Sequence, residues 1–214
     1  MINGLRKILH KRLAGHSVEL SIAQYIGIRQ VYYDTVHVLV HDYLVTPGTN
    51  YRSYQSSMRK ATVASYIATA KTVGDKSNSL WLKAKIVMIL LFVSKLWDDL
   101  WQIKQGRKQT AEAIAEAEQI ALTHAENYAR GLDGVWSEAM VREAGDIPLL
   151  FDGIDGKPPE FPCVTCDDLI GQIHPASWWA KRNLIPYQGN PNYACGCWGC
   201  KHGLFDSKGI QYTL

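Results

Sequence analysis

Apolar residues recur along the first half of the chain at helical spacing. Val18, Ile22, Tyr25, Tyr32, Val36, Leu39 and Tyr43 line one stripe with Arg29 as its single interruption, and Gln30, Asp34, His37 and His41 line another with the same period. The β-branched residues between Val31 and Val45 favour strand. The polar stripe keeps the helical period and decides for a helix, with Ser17 as N-cap and Pro47-Gly48 as its end. A second helix is predicted over about 53–73, broken by Gly74-Asp75-Lys76-Ser77-Asn78. Leu80–Ile103 follows as the most apolar segment and predicts a helix buried on several sides, with Trp81, Trp97 and Trp101 in a core or a subunit interface. Ile114, Ala117, Ala121 and Ala125 then mark a helix over 109–130, small enough along one face for a partner helix to approach closely. Gly131 and Gly134 punctuate it, Ser137–Glu143 reads as a further short helix, and Gly145 stops that one.

Proline changes the pattern. It is absent from Gly48 through Ile147 and occurs seven times from Pro148 onward, so the chain divides into a helical part and an irregular one. The division predicts a helical domain over 1–145, a linker or extended arm over 146–162, and a small C-terminal module over 163–214. The fold class expected is therefore mainly α, a helical N-terminal part followed by a small, irregular, zinc-bound module.

Zinc enters through the cysteines. All five, Cys163, Cys166, Cys195, Cys197 and Cys200, lie in the last quarter, and Cys163/Cys166 and Cys197/Cys200 are two Cys-x-x-Cys pairs with residues 167–196 between them. That spacing lets two tight turns converge on one tetrahedral ion, each turn directing two thiolates at a centre about 2.3 Å away. The expected ligands are Cys163, Cys166, Cys197 and Cys200, with Cys195, His174 or His202 as alternative members. Four thiolates close the coordination shell and leave no position for a catalytic water, so the site reads as structural. Disulfides are the competing use of these cysteines. Five cannot all pair within one chain, and no hydrophobic targeting segment opens the sequence, which favours a reducing compartment.

Charge adds one feature. The net charge is +3, and residues 1–60 carry eight Lys or Arg against three Asp or Glu. Arg6, Lys7, His10, Lys11 and Arg12 form a basic arm that can meet DNA phosphates or an acidic protein; a solvated helix face is the plainer reading. A membrane span is not expected. Lys83, Lys85, Lys95, Asp98 and Asp99 leave only nine uncharged residues between Lys85 and Lys95 in the apolar segment, against the roughly twenty that a bilayer requires.

Catalytic patterns are missing. There is no Gly-rich phosphate loop, serine nucleophile elbow or HExxH helix. Asp34, His37 and His41 share a helix face and form a conceivable metal site with no further ligand visible in sequence; such a stripe more often meets water or another helix. Asp167-Asp168 reads as a pair of exposed turn acids. A non-enzymatic protein is expected.

Three segments together resemble the phage head-morphogenesis, or minor head, proteins. Ile120-Ala-Leu-Thr-His-Ala-Glu126 is similar to that family's Ile-Ala-Arg-Thr-Glu helix. Pro162-Cys163-Val-Thr-Cys166 with Gly171, His174 and Pro175, and then Pro191-Asn-Tyr-Ala-Cys195-Gly-Cys197, are similar to its Cys-x-x-Cys and closing Pro-Asn-Cys-x-Cys. The match covers roughly 115–202, and the cysteine segment is its distinctive part. Leu122 and His124 depart from the family's Arg and Glu, and Cys200 is extra. The family ending favours Cys195 with Cys197, chelate spacing favours Cys197 with Cys200, and Cys197 is common to both. The resemblance implies a virion structural protein, present in few copies near the portal, that helps head assembly or DNA packaging and delivery. Expected partners are a portal or capsid protein and further copies of the chain, with packaged DNA met by Arg6, Lys7, Lys11 and Arg12; the expected location is the virion, and the host cytoplasm during assembly. The alternative is a zinc-ribbon-type nucleic-acid binder, with Lys181, Arg182 and Lys201 for phosphates and Trp178, Trp179 and Trp198 for bases. The module's near-balanced charge weighs against strong phosphate binding.

Overall fold

In a computed structural model the chain is mainly helical, with a small antiparallel sheet towards its C-terminal end. The structure describes residues 12–13, 16–74, 79–106, 110–154, 163–187, 190, 192–194 and 202–214, and the backbone alone for 12–13, 16–20 and 92–96. Arg12–Leu13 (β1) pairs with His16–Ser17 (β2). Four long helices follow: α1 over Val18–Val45, α2 over Tyr51–Thr72, α3 over Leu80–Gly106 and α4 over Ala111–Glu143. After them come β3 (Pro148–Gly153), α5 (Val164–Leu169), β4 (Ile173–Pro175), α6 (Ala176–Lys181) and β5 (His202–Phe205). The chain forms two compact units, one of Ile26–Ala68 with Lys76–Ala129, the other of Met1–Tyr25, Thr69–Asp75 and Arg130–Leu214.

The first unit is helical. Tyr32, Val36, Val40 and Tyr43 of α1 are buried with Tyr54, Met58 and Tyr66 of α2, Leu82, Trp97 and Leu100 of α3, and Ala117, Ala121, Ala125 and Tyr128 of α4. Ile22, Tyr25, Tyr32, Val36 and Tyr43 of the α1 stripe and Ala117, Ala121 and Ala125 of the α4 stripe are thus buried as their periodicity predicts, whereas Leu39 is half-buried and Ile114 is exposed. Arg29 interrupts the α1 stripe because it reaches Glu126 at 3.2 Å, and His37 reaches Glu118 at 3.0 Å. Residue numbers rise along α1 as those of its partners fall along α4, which makes the two helices antiparallel neighbours. A buried hydroxyl also has to be satisfied: Tyr32 pairs with Thr62 at 2.8 Å.

Helix α3 departs from expectation. Leu82, Trp97 and Leu100 are buried, but Val87, Met88 and Leu91 are 56%, 64% and 69% exposed, and Trp101 is 45% exposed. Within the unit, α3 has one face against its neighbours, whereas the run Ile86–Val93 is apolar all round, so part of it faces outward. No described helix is long and apolar enough to cross a membrane.

The second unit holds the sheet, in the order β4-β3-β5, both pairings antiparallel. Its middle strand lies inside the stretch that sequence reads as a linker over 146–162. Leu149 and Phe151 are fully buried and alternate with more exposed neighbours, a period-two signal that the prolines and glycines around it obscure. Helix α4 also runs unbroken where Gly131 and Gly134 predict a break and a separate short helix over Ser137–Glu143. Gly134 is there for packing: a Cβ on it would come within 2.7 Å of the Tyr187 ring. Buried Leu132, Val135, Trp136, Ala139 and Met140 carry the helix on to Gly145, whose φ of 63° ends it.

Candidate metal centre

Cys163 and Cys166 bracket the first turn of α5. Cys163 is its N-cap, its carbonyl accepts the N–H of Asp167 at 2.8 Å, and the Cys166 carbonyl accepts that of Ile170 at 3.0 Å. Both cysteines are buried, Cys166 completely, and they are not joined to each other by a disulfide. After α5, Gly171 turns with a φ of 80° and donates to the Phe151 carbonyl at 2.9 Å, while Phe151 donates to the Gln172 carbonyl at 3.0 Å. The first cysteine pair is thereby tied to the middle strand.

The second cysteine segment, with Cys195, Cys197 and Cys200, lies outside the described residues, but both its flanks are placed. The ring of Tyr193 stacks on Phe151 with centroids 6.2 Å apart, and the ring of His202 stacks on the same Phe151 at 5.2 Å. Tyr193 and His202 thus meet at one side chain. Ala194, the residue before Cys195, donates its N–H to the Thr165 hydroxyl at 3.2 Å, and Thr165 stands between Cys163 and Cys166.

Asparagines hold the approach to this point. Asn190, fully buried, donates to the carbonyls of Asn183 and Ile185 at 2.9 and 2.8 Å and accepts the N–H of Asn192 at 3.0 Å. Asn192, of the Pro-Asn motif, donates in turn to the carbonyls of Arg182 and Asn183, both at 3.2 Å. Sequence reading missed Phe151, Thr165 and Asn190. Only Phe151 leaves a signal, the alternation of buried positions in β3.

Of the four expected zinc ligands, Cys163 and Cys166 are buried at the start of α5, and Cys197 and Cys200 lie outside the described residues. Among the described residues no group of three or more His, Cys, Asp and Glu is placed to hold a metal. Of the alternative ligands, His174 bonds Gln172 at 2.9 Å and lies flat on Trp178 with ring centroids 3.7 Å apart. His202 is buried against Phe151. Asp167 and Asp168 are exposed.

The histidines of the polar stripe of α1 are met by α4, and its other two members pair with each other. Glu118 takes His37 at 3.0 Å and His41 at 3.7 Å, one on each carboxylate oxygen, and Asp34 accepts the Gln30 amide at 2.9 Å. The basic arm falls outside the described residues at Arg6, Lys7, His10 and Lys11; Arg12 is described by its backbone alone.

The stacking surfaces are occupied. Trp179 is fully buried, with its indole N–H shared between the carbonyls of Leu149 and His174 at 3.2 Å each. Trp178 carries the His174 ring at 3.7 Å and the Arg182 guanidinium at 4.2 Å. Trp198 and Lys201 lie outside the described residues. No family model, no curated protein and no solved structure matches this chain.

Proposed function

We propose that this chain is a phage virion structural and assembly protein, a minor head protein near the portal that acts in head morphogenesis or in DNA packaging and delivery. The observation that carries this reading is the cysteine segment, Cys163-x-x-Cys166 followed by Pro191-Asn192 and Cys195-x-Cys197. Its support in the fold is that the two halves meet: Thr165 of the first holds Ala194 of the second. In this reading one zinc joins the halves through Cys163, Cys166, Cys197 and Cys200, and supplies cross-linking, with no catalytic role. The chain works through interfaces with a portal or capsid protein and with its own copies, in the virion and, during assembly, in the host cytoplasm. Arg6, Lys7, Lys11 and Arg12 add contact with packaged DNA that weakens steeply with salt. The nucleic-acid-binding alternative is disfavoured by Trp179, which is buried, and Trp178, which already carries the His174 ring and the Arg182 guanidinium.

The test is composition of particles. Mass spectrometry and cryo-EM of purified heads from the source of this sequence should find the chain in few copies at the portal vertex. Its absence from heads at every stage of assembly overturns the proposal.

A further inference from the structure

We infer that the helical unit binds a second copy of itself head to tail, the outer face of α1 on one copy seating against the outer face of α3 on the next. The inference rests on the assembly reading and names the surfaces that it would use. On α1, Val31 and Val38 are 66% and 51% exposed and lie two turns apart on one face, with exposed Asp34 and Asp42 beside them. On α3, Val87, Met88 and Leu91 are more than half exposed, and exposed Lys83 lies one turn before Val87. At 1.5 Å per residue the apolar stripe covers about 10 Å of α1, from Val31 to Val38, and about 6 Å of α3, from Val87 to Leu91, so the α3 stripe fits within the length of the α1 stripe.

Charge selects the pairing. From Val31 through Val45, α1 carries Asp34 and Asp42 and no Lys or Arg; from Leu80 through Leu91, α3 carries Lys83 and Lys85 and no Asp or Glu. Asp34 meets Gln30 of its own helix and Asp42 meets His41 at 3.6 Å, and both remain exposed to a partner. A two-fold contact of α1 with α1 sets acid edge against acid edge, and one of α3 with α3 sets lysine edge against lysine edge, which is unfavourable. Joining α1 to α3 brings apolar stripe onto apolar stripe with opposite charges at the margins. Such a contact is heterologous, so repetition generates a ring or an open filament.

One-sided variants of the full chain test it by light scattering after size exclusion over a dilution series. Wild type should exceed monomer mass. Val38→Asp, which blocks the α1 face, and Met88→Asp, which blocks the α3 face, should each be monomeric, and mixing them should give a one-to-one dimer through the two intact faces. Lys83→Glu should weaken association by about tenfold, and Asp34→Lys in the same chain should recover much of it. These residues are exposed, and circular dichroism should match wild type. A wild type that is monomeric at every concentration overturns the inference even if the chain is found in heads, as does a Val38→Asp and Met88→Asp mixture that stays monomeric. Recovery of the mixed dimer from a chain absent from heads upholds the contact and sinks the assembly role.

Discussion

The backbone N–H of Ala194 donates to the Thr165 hydroxyl at 3.2 Å, across 29 residues of sequence. Thr165 lies between the first two cysteines and Ala194 immediately precedes the third, so this bond brings the start of the second cysteine segment to the first. Thr165→Val keeps the shape and removes the acceptor. The loss should cost about 1 kcal/mol of local stability and weaken zinc binding several-fold, measured by competition with a chromophoric chelator. Unchanged affinity would mean that the bond does not organise the site.

Gly134 makes a different kind of claim, because its place in α4 is set by packing against Tyr187 and not by backbone conformation. Gly134→Ala improves helix propensity yet should destabilise the protein by about 1–3 kcal/mol through overpacking. Tyr187→Ala in the same chain should reverse much of the difference. Denaturant melts of the single and double variants decide it, and a more stable Gly134→Ala would show that Tyr187 has room to move.

Burial holds the His124 imidazole below its ordinary pKa, with Asp99 pulling the other way. Unfolding returns it to about 6.5. Below that value the unfolded chain takes up a proton that the folded chain does not, so stability falls as pH drops from about 6.5 towards the folded pKa. His124→Gln should flatten the pH dependence of the urea midpoint in this window. An identical slope in both proteins would place its origin elsewhere.

The helices were legible because their stripes repeat. Ile22, Tyr25, Tyr32, Val36 and Tyr43 of the α1 stripe and Ala117, Ala121 and Ala125 are buried where period predicts, and Pro47-Gly48 and Gly145 stop helices as their chemistry requires, Gly48 with a φ of 73°. Gly131 and Gly134 predict a break that α4 does not have, and two further features misled. Pro148 and Gly153 bound a strand whose alternation is only six residues long, so composition outweighs period. Ile86–Val93 is uniformly apolar and carries no information about which side faces the core. At the site, Cys163 and Cys166 stand out in sequence through their spacing. Thr165, Phe151 and Asn190 do not, because their roles depend on segments that meet only after folding.

Metal analysis of the purified protein, with its thiols kept reduced, tests the central claim most directly. About one equivalent of zinc per chain is predicted, lost in Cys163→Ser and Cys166→Ser and less affected in Cys195→Ser, with most of the helical circular dichroism surviving chelation. Less than about half an equivalent in the wild-type protein would contradict the account.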